Sequence, residues 1–202
     1  MLGIRSLLDQ ELQRDDPWRL GNSPFEARRY AHMFRLSASS GRIAKGLELG
    51  CAAGIFTGEL APRCERLTVV DIMPTAIARA KSRTIHLSNI SWVVSDVTTF
   101  SSVDQFDLIV LAEILYYLQD LLEMERAIAN TIKYLSPGGR LVFGSARDNV
   151  CRRWGNAAGA ETMAVTLGRM MIEIERVECR DHSKDEDWLL VSFESPMSGA
   201  VA

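Results

Sequence analysis

Two carboxylates flank a small-residue loop in the first half of the chain. The loop is Gly46-Leu-Glu-Leu-Gly-Cys-Ala-Ala-Gly54, and a second short apolar segment ends at Asp71. Such a loop, between an apolar segment and a helix, lets backbone N–H groups approach a ligand closely at the helix N-terminus. The spacing from Glu48 to Asp71 puts the second carboxylate at the next strand end, where a nucleotide ribose would present its hydroxyl groups. The pattern predicts a site for a nucleotide-like cofactor.

The loop departs from the glycine spacing that dinucleotide-binding proteins use. That fingerprint, G-x-G-x-x-G, needs three glycines, whereas Gly50-Cys-Ala-Ala-Gly-Ile55 has Ala52 at the second position and Ile55 at the third. A nicotinamide-dependent oxidoreductase of similar topology is therefore a disfavoured alternative. A binding or regulatory module that keeps the scaffold without turnover is another alternative, although the acidic positions speak against it.

Short apolar segments alternate with helical patterns from Leu47 onward. This alternation predicts a parallel sheet with right-handed crossovers and helices on both faces. The predicted strands are residues 46–49, 67–70, 92–94, 106–111, 140–144, 176–180 and 188–194. The first predicted helix ends at about residue 12, and the later ones cover 25–36, 56–61, 74–82, 121–135 and about 160–173. Ser136-Pro-Gly-Gly139 is expected to end the longest helix and turn into the fifth strand. The last two strands are joined by too few residues for a helical crossover, which predicts an antiparallel pair.

Length and composition suit one globular domain. The 202 residues, of which 47% are hydrophobic, predict a single unit, with residues 1–40 as a helical cap and 41–196 as a Rossmann-like core. A net charge of -3 gives no broad basic field, so a nucleic-acid partner is not expected. The four cysteines lack paired spacing, and neither a signal peptide nor a membrane-spanning segment is recognisable. These features predict a cytoplasmic protein without a membrane partner, as a monomer or weak dimer.

The loop and the segments after it resemble class I S-adenosylmethionine-dependent methyltransferases. Glu48-x-Gly50-x-Ala52-x-Gly54 is similar to their motif I, with Ala52 where the motif has glycine. Four further segments resemble the successive motifs in order, namely Val69-Val-Asp-Ile-Met-Pro-Thr-Ala-Ile77, Ser95-Asp-Val97, Phe106-Asp-Leu-Ile-Val110 and Leu135-Ser-Pro-Gly-Gly-Arg-Leu-Val142. The resemblance covers nearly the whole chain.

This resemblance implies a Rossmann-like α/β fold with a seven-stranded, mostly parallel sheet, an antiparallel last strand and N-terminal helices as a lid. It implies S-adenosyl-L-methionine as the cofactor, with S-adenosyl-L-homocysteine as the product. In the family, the loop passes under the methionine part of the cofactor. Asp71 would then take the ribose hydroxyls and Asp96 the adenine amine. Three apolar residues would wall the adenine, and each is equally readable as ordinary core: Ile72, Met73 and Val97.

A narrower resemblance concerns the N-terminal segment and the end of the fourth strand. Asp16-Pro-Trp18, Ser23-Pro-Phe-Glu-Ala-Arg-Arg-Tyr30 and Ala112-Glu-Ile-Leu-Tyr-Tyr117 are similar to the NodS family of rhizobial nodulation methyltransferases. Members methylate the free amine on the non-reducing glucosamine of a de-acetylated chitooligosaccharide during Nod factor biosynthesis, and the resemblance implies the same here. Another small amine or amino sugar is the alternative acceptor. Trp18 and Arg28 are carried over as cofactor contacts in the lid, and Tyr30 as a substrate contact.

Glu113 is the candidate for the chemistry itself. Methyl transfer from a sulfonium to nitrogen needs a neutral amine, which a positioned carboxylate can provide. Glu113 directly follows the predicted fourth strand, at the sheet edge where open α/β folds bind ligands. It is expected to hold the substrate ammonium and help remove its proton; the alternative is a carboxylate in the first turn of a helix.

The residues around Glu113 supply the remaining expectations. One of Tyr116 and Tyr117 is expected in the core, and the other, assigned as Tyr117, in the pocket against a sugar ring. His182, between the last two strands, is either a substrate contact or an exposed loop histidine. The other histidines, His32 and His86, have no partners at ligand spacing, so no metal is expected.

Overall fold

The computed structural model describes residues 4–14, 16–18, 20–21, 23–38, 43–181 and 186–197. Its strands are β1 Ile43–Leu49, β2 Cys64–Asp71, β3 Ile90–Val94, β4 Phe106–Ala112, β5 Leu135–Ala146, β6 Ile172–Asp181 and β7 Glu186–Glu194. Its α-helices are α1 Ile4–Glu11, α2 Pro24–Ala38, α3 Ile55–Leu60, α4 Pro74–Arg83, α5 Leu121–Ile132, α6 Asp148–Arg153 and α7 Ala160–Gly168. Short 3-10 helices follow α3 at Ala61–Arg63 and β4 at Leu115–Tyr117.

The seven strands form one sheet in the order β3-β2-β1-β4-β5-β7-β6. The first five are parallel, and β7 runs antiparallel to both β5 and β6. This confirms the predicted α/β class and its antiparallel closing strand. The chain winds outward from β1 to β3 and then returns to place β4 on the other side of β1. The crevice between the carboxyl ends of β1 and β4 is therefore a topological switch point, where open α/β sheets bind ligands.

Local sequence explains why the central strands form as they do. In β4 the run from Leu108 to Leu111 is apolar without alternation, and these residues are almost completely buried. A strand covered by helices on both faces has no solvent side, so a continuous apolar run is typical of it. The helix after β2 begins at Pro74, in the first turn, where a missing backbone N–H costs no hydrogen bond.

Three sequence predictions around β5 and β6 are wrong. The longest predicted helix, 121–135, ends at Ile132, and Ser136-Pro-Gly-Gly139 already lies inside β5. The helix predicted over about 160–173 ends at Gly168, because the alternating Ile172-Glu-Ile-Glu175 is typical of a strand and pairs with β7. Helix α6 was not predicted.

Helix α2 packs into the body of the molecule. It contacts β5, β6 and β7, and its Phe34 ring stacks on Phe56 of α3 with centroids 4.5 Å apart. The segment before α2 bends where Asp16 accepts hydrogen bonds from the backbone N–H groups of Leu20, at 2.7 Å, and Gly21, at 3.0 Å. No helix in the part of the chain that the structure describes is long and apolar enough to cross a bilayer.

Candidate active site

The loop after β1 adopts a backbone that its small residues permit. Gly50 has a φ of 85° and Gly54 a φ of 75°, in the left-handed region that favours glycine. A Cβ on Gly50 would collide with the Ile114 side chain, and one on Gly54 would lie 2.6 Å from the Cα of Ala80. Ala52 also has a positive φ, 46°. The loop therefore keeps a glycine-like conformation at the position where motif I has glycine and this chain has alanine.

Asp71 fastens this loop to the end of β2. Its Oδ2 accepts hydrogen bonds from the backbone N–H groups of Cys51, at 2.9 Å, and Ala52, at 3.3 Å, while Oδ1 accepts from Met73 N at 2.8 Å. Burial raises the pKa of Asp71, and these N–H donors only partly oppose it. A carboxylate has about four acceptor sites. Asp71 can therefore accept these three backbone hydrogen bonds, which we call the Asp71 clasp, and still contact ribose hydroxyls as predicted. The sequence did not reveal the clasp.

Glu48 is a buried carboxylate with one unsatisfied oxygen atom. It is 2% exposed, and its Oε2 has no hydrogen-bond partner among the described residues. Burial, with a further contribution from Asp71, raises its pKa to about 8. An orphaned buried carboxylate oxygen is costly unless a ligand satisfies it. Beside a loop that approaches a ligand by its backbone, this oxygen fits a cationic donor such as the ammonium of a bound methionine moiety.

The end of β3 lies next to Asp71. The N–H of Ser95 donates to the Asp71 carbonyl at 3.0 Å, which brings Asp96 to the same edge of the sheet. Asp96 Oδ1 accepts from the N–H of Thr98, at 2.9 Å, and from its hydroxyl, at 2.7 Å. Two of the three apolar residues predicted to wall the adenine, Ile72 and Val97, are half-buried, whereas Met73 is in the core. The first two thus keep surface for a ligand.

A second cluster forms at the end of β4, around Glu113. Its Oε1 accepts a hydrogen bond from Arg29 Nη1 at 3.1 Å, and its Oε2 accepts one from the Trp188 indole N–H at 3.1 Å. Arg29, which is 3% exposed, also donates to Glu26 Oε2 from Nε at 2.9 Å and from Nη2 at 2.5 Å. The cluster thus joins α2, the residue after β4 and β7 in one network around the buried Arg29.

The charges of this network do not cancel. One guanidinium faces two carboxylates, so the group carries one net negative charge when all three residues are ionised. Burial raises the pKa of Glu113 above its usual range; Arg29 opposes this shift and Glu26 adds to it. Burial acts against the cationic form of Arg29, but Glu113 and Glu26 outweigh it and raise the Arg29 pKa. An uncompensated, half-buried negative charge attracts a cationic ligand.

The backbone at Glu113 is unusual as well. Its φ of 57° is left-handed, which costs a residue with a side chain on the order of 1–3 kcal/mol. Its N–H donates to the Gly144 carbonyl at 2.9 Å. Because Arg29 and Trp188 hold the side chain and Gly144 holds the backbone, the surrounding structure can sustain this conformation. The predicted alternative, a carboxylate inside the first turn of a helix, is wrong, because Glu113 precedes the 3-10 helix in a left-handed conformation.

One of the two tyrosines after Glu113 lies in the core, as predicted. Tyr116 is buried and its hydroxyl hydrogen-bonds to Glu113, while Tyr117 is half-buried and hydrogen-bonds to Trp18. Tyr30 is 8% exposed, and its ring lies 5.3 Å from that of Phe56, inside the packing between α2 and α3. Tyr30 therefore offers little surface to a substrate in this structure.

The Glu113 cluster contains Arg29, for which the sequence predicted no role, and not its neighbour Arg28. Arg28 is exposed and has no hydrogen bond or ion pair within the described residues, whereas Arg29 is the buried cation that binds Glu113. The signal for Arg29 was present in helical spacing, because it follows Phe25 by four residues and precedes Met33 by four, on the buried face of α2. His182 lies outside the described residues. In the described ranges, no group of three or more His, Cys, Asp or Glu side chains is placed to hold a metal ion.

Comparison with known proteins gives a consistent result. Residues 2–200 match the family model described as Nodulation protein S (NodS). The chain is 55% identical to Nodulation protein S of Rhizobium tropici over 194 residues, which covers 96% of this chain and 82% of that protein. Over 196 residues it is also 55% identical to Nodulation protein S of Bradyrhizobium diazoefficiens, covering 97% and 93%.

A solved structure shows the same arrangement of the chain. It is the crystal structure of N-methyltransferase NodS from Bradyrhizobium japonicum WM9 in complex with S-adenosyl-L-homocysteine. The TM-score is 0.94 and the identity 55%, over 96% of this chain and 99% of that one. The similarity thus extends over both clusters of the candidate site.

Proposed function

We propose that this chain, which belongs to the Nodulation protein S family and is an S-adenosylmethionine-dependent N-methyltransferase, acts on a chitooligosaccharide in Nod factor biosynthesis. The acceptor is the free amine on the non-reducing glucosamine of the de-acetylated oligosaccharide. The observation that carries this proposal is the Glu113 network, because its net negative charge suits an amine that arrives protonated. The family likeness over nearly the whole chain supports the choice of oligosaccharide.

The cofactor side consists of the loop and the strand ends next to it. When bound, S-adenosylmethionine supplies an electrophilic methyl group on a positively charged sulfur. Gly50 and Gly54 let the backbone approach it, and Glu48 offers a carboxylate oxygen to its ammonium. We assign the ribose hydroxyls to Asp71 and the adenine amine to Asp96. The faces of the adenine are assigned to Ile72 and Val97.

The acceptor side is assigned to Glu113 and the aromatic residues around it. Glu113 accepts a hydrogen bond from the acceptor ammonium, orients it and takes up its proton, leaving the nitrogen lone pair free to attack. Its raised pKa brings the carboxylate closer to the range of an effective general base. Arg29 and Trp188 hold the side chain in place, so that little reorganisation is needed during the reaction.

Trp18 and Tyr117 close the site from the N-terminal side. Their hydrogen bond joins the segment before α2 to the end of β4, so Trp18 is assigned to cover the cofactor and Tyr117 to contact the sugar. The roles predicted for Arg28, Tyr30 and His182 remain predictions. All four cysteines are buried free thiols, which supports the proposal that the protein works in the reducing cytoplasm.

A methyl-transfer assay tests the acceptor. Radiolabelled S-adenosylmethionine is incubated with the protein and either a chitotetraose that carries a free amine on its non-reducing residue or the fully acetylated chitotetraose. We expect label only in the de-acetylated sugar. Label in the acetylated sugar alone would contradict N-methylation. Efficient labelling of ethanolamine or free glucosamine, without labelling of the tetramer, would favour the small-amine alternative.

A further inference from the structure

Trp154 presents an exposed aromatic surface beside Tyr116, the tyrosine that hydrogen-bonds to Glu113. It is 45% exposed, the most exposed of the four tryptophans; Trp18 and Trp92 are half-buried and Trp188 is 8% exposed. Its ring centroid lies 5.8 Å from that of Tyr116, with an angle of 66° between the ring planes. In such an edge-to-face contact, Tyr116 leaves at least one face of the indole uncovered.

The position of Trp154 is firmly held. Its backbone N–H donates to the carbonyls of Val150, at 3.2 Å, and Cys151, at 3.1 Å, and both of those residues are fully buried. Gly155 follows with a φ of 84°, and a Cβ built there meets no atom within 4 Å. The backbone of Trp154 therefore belongs to an anchored helix end, and the space beside Gly155 is open, so a ligand would bind here with little ordering of the backbone.

The surroundings indicate what kind of ligand fits. Tyr116 hydrogen-bonds to Glu113, so Trp154 lies one aromatic ring beyond the carboxylate assigned to the amine. Arg152 and Arg153 are exposed next to Trp154 and would repel a second cationic group placed on the indole. A neutral ring with an apolar C–H face suits the exposed face of an indole.

We infer that Trp154 forms a carbohydrate subsite that binds a sugar residue following the one that is methylated. This inference rests on the proposed function, because it takes the terminal glucosamine to be at Glu113. The subsite binds through the indole face and takes no part in the reaction. Its loss should therefore weaken the binding of an oligosaccharide without changing the binding of a single sugar.

Calorimetry and kinetics together test this subsite. Binding of the mono-de-acetylated chitotetraose and of glucosamine is measured on the protein saturated with S-adenosylhomocysteine, for the wild type, Trp154→Ala, Trp154→Phe and Val165→Ala. Val165 is an exposed apolar residue on α7 and serves as the control for surface truncation. The kcat and KM for the tetramer are measured separately with S-adenosylmethionine. Thermal unfolding verifies that each variant is folded.

We expect Trp154→Ala to weaken tetramer binding and raise its KM about tenfold, with kcat within about twofold of wild type. Trp154→Phe should retain most of the affinity, glucosamine binding should not change, and Val165→Ala should behave as wild type. Equal tetramer affinity in Trp154→Ala and wild type would overturn the inference, as would no binding of the tetramer to the wild type. If the wild type binds the tetramer in a Trp154-dependent way but does not methylate it, the subsite stands and the proposed acceptor fails.

Discussion

The two halves of the site, the cofactor side and the acceptor side, are held together by different kinds of contact. On the cofactor side, the bonds join residues near in sequence: Asp71 binds Cys51, 20 residues away, and Met73, two residues away. On the acceptor side, Glu113 is bonded to the nearby Tyr116, but it is also held by Arg29, 84 residues away, and by Trp188, 75 residues away. Local spacing therefore encodes the first half, whereas only the folded chain assembles the second.

The carboxylates of the two sides also find their hydrogen-bond donors in different ways. Backbone N–H groups satisfy Asp71, and every residue except proline carries such a group, so this clasp does not depend on which side chains occupy positions 51 and 52. Glu113 depends on three particular side chains, those of Arg29, Trp188 and Tyr116. We therefore expect substitutions on the acceptor side to affect both stability and turnover, and those on the cofactor side to affect mainly ligand affinity.

The largest expected effect is on stability, from Arg29→Met. Removing the buried cation leaves the half-buried Glu26 and Glu113 without a counter-charge, which should cost about 3–5 kcal/mol in the free energy of unfolding. The loss should be larger at pH 8 than at pH 5, because burial raises the pKa of Glu113 and protonation of this carboxyl at low pH removes the repulsion. Urea unfolding measures it, with the exposed Arg28→Met as control, expected within about 0.5 kcal/mol of wild type. Equal stabilities of the two variants would refute the role of the network around Arg29.

Glu113→Gln should separate turnover from cofactor binding. The amide cannot take up the proton of the acceptor, so kcat should fall about 100-fold or more, while affinity for S-adenosylhomocysteine changes less than about twofold. Steady-state kinetics and calorimetry measure the two quantities. Glu125→Gln, an exposed change on α5, is the control. Unchanged turnover in Glu113→Gln would remove the residue from the mechanism.

Asp71→Ala should lower the affinity for the cofactor and leave the use of the acceptor nearly unchanged. Loss of the clasp frees three backbone N–H groups and removes the proposed ribose contact, so affinity for S-adenosylhomocysteine should fall about 10- to 100-fold. The KM for the acceptor at saturating cofactor should change little, because the acceptor network does not include Asp71. Calorimetric affinity equal to that of wild type would mean that the ribose assignment is wrong.

Because of Glu48, binding of the cofactor should release a proton. With a pKa of about 8, its carboxyl is mostly protonated at pH 7; an ammonium placed beside it lowers that pKa, so binding should release up to about one proton. Calorimetry in buffers of different ionisation enthalpy measures the release. It should disappear in Glu48→Gln and persist in Glu59→Gln, an exposed change on α3. Equal release in both variants would exclude Glu48 as its source.

The same carboxyl sets a pH dependence of stability in the cofactor-free protein. A carboxyl whose pKa rises from 4.5 to about 8 on folding binds more protons in the folded state than in the unfolded chain. Stability should therefore decrease as the pH rises from about 4.5 to about 8. Glu48→Gln should remove this contribution and stabilise the protein more at pH 8 than at pH 5.

Sequence reasoning succeeded where structure follows from short spacing. It predicted the alternation of strands and helices, the antiparallel end of the sheet and the loop at Gly50 and Gly54. It was less accurate around β5 and β6, where an irregular strand begins at Leu135 and edge-strand pairing overrides a helical interpretation of residues 169–173. It did not identify Arg29, because the side of α2 that faces the core is decided by packing against distant elements.

The sequence by itself determined the fold class, the cofactor loop and the acidic strand ends, because backbone conformation and strand order depend on local residue types and spacing. Only the tertiary structure decided that Arg29, Glu113 and Trp188 meet, and that Trp154 stands exposed beside Tyr116. The physical reason is that buried charges and aromatic contacts are fixed by packing between distant elements. The energy of such contacts depends on burial, and these side chains become buried only when α2 packs against the sheet.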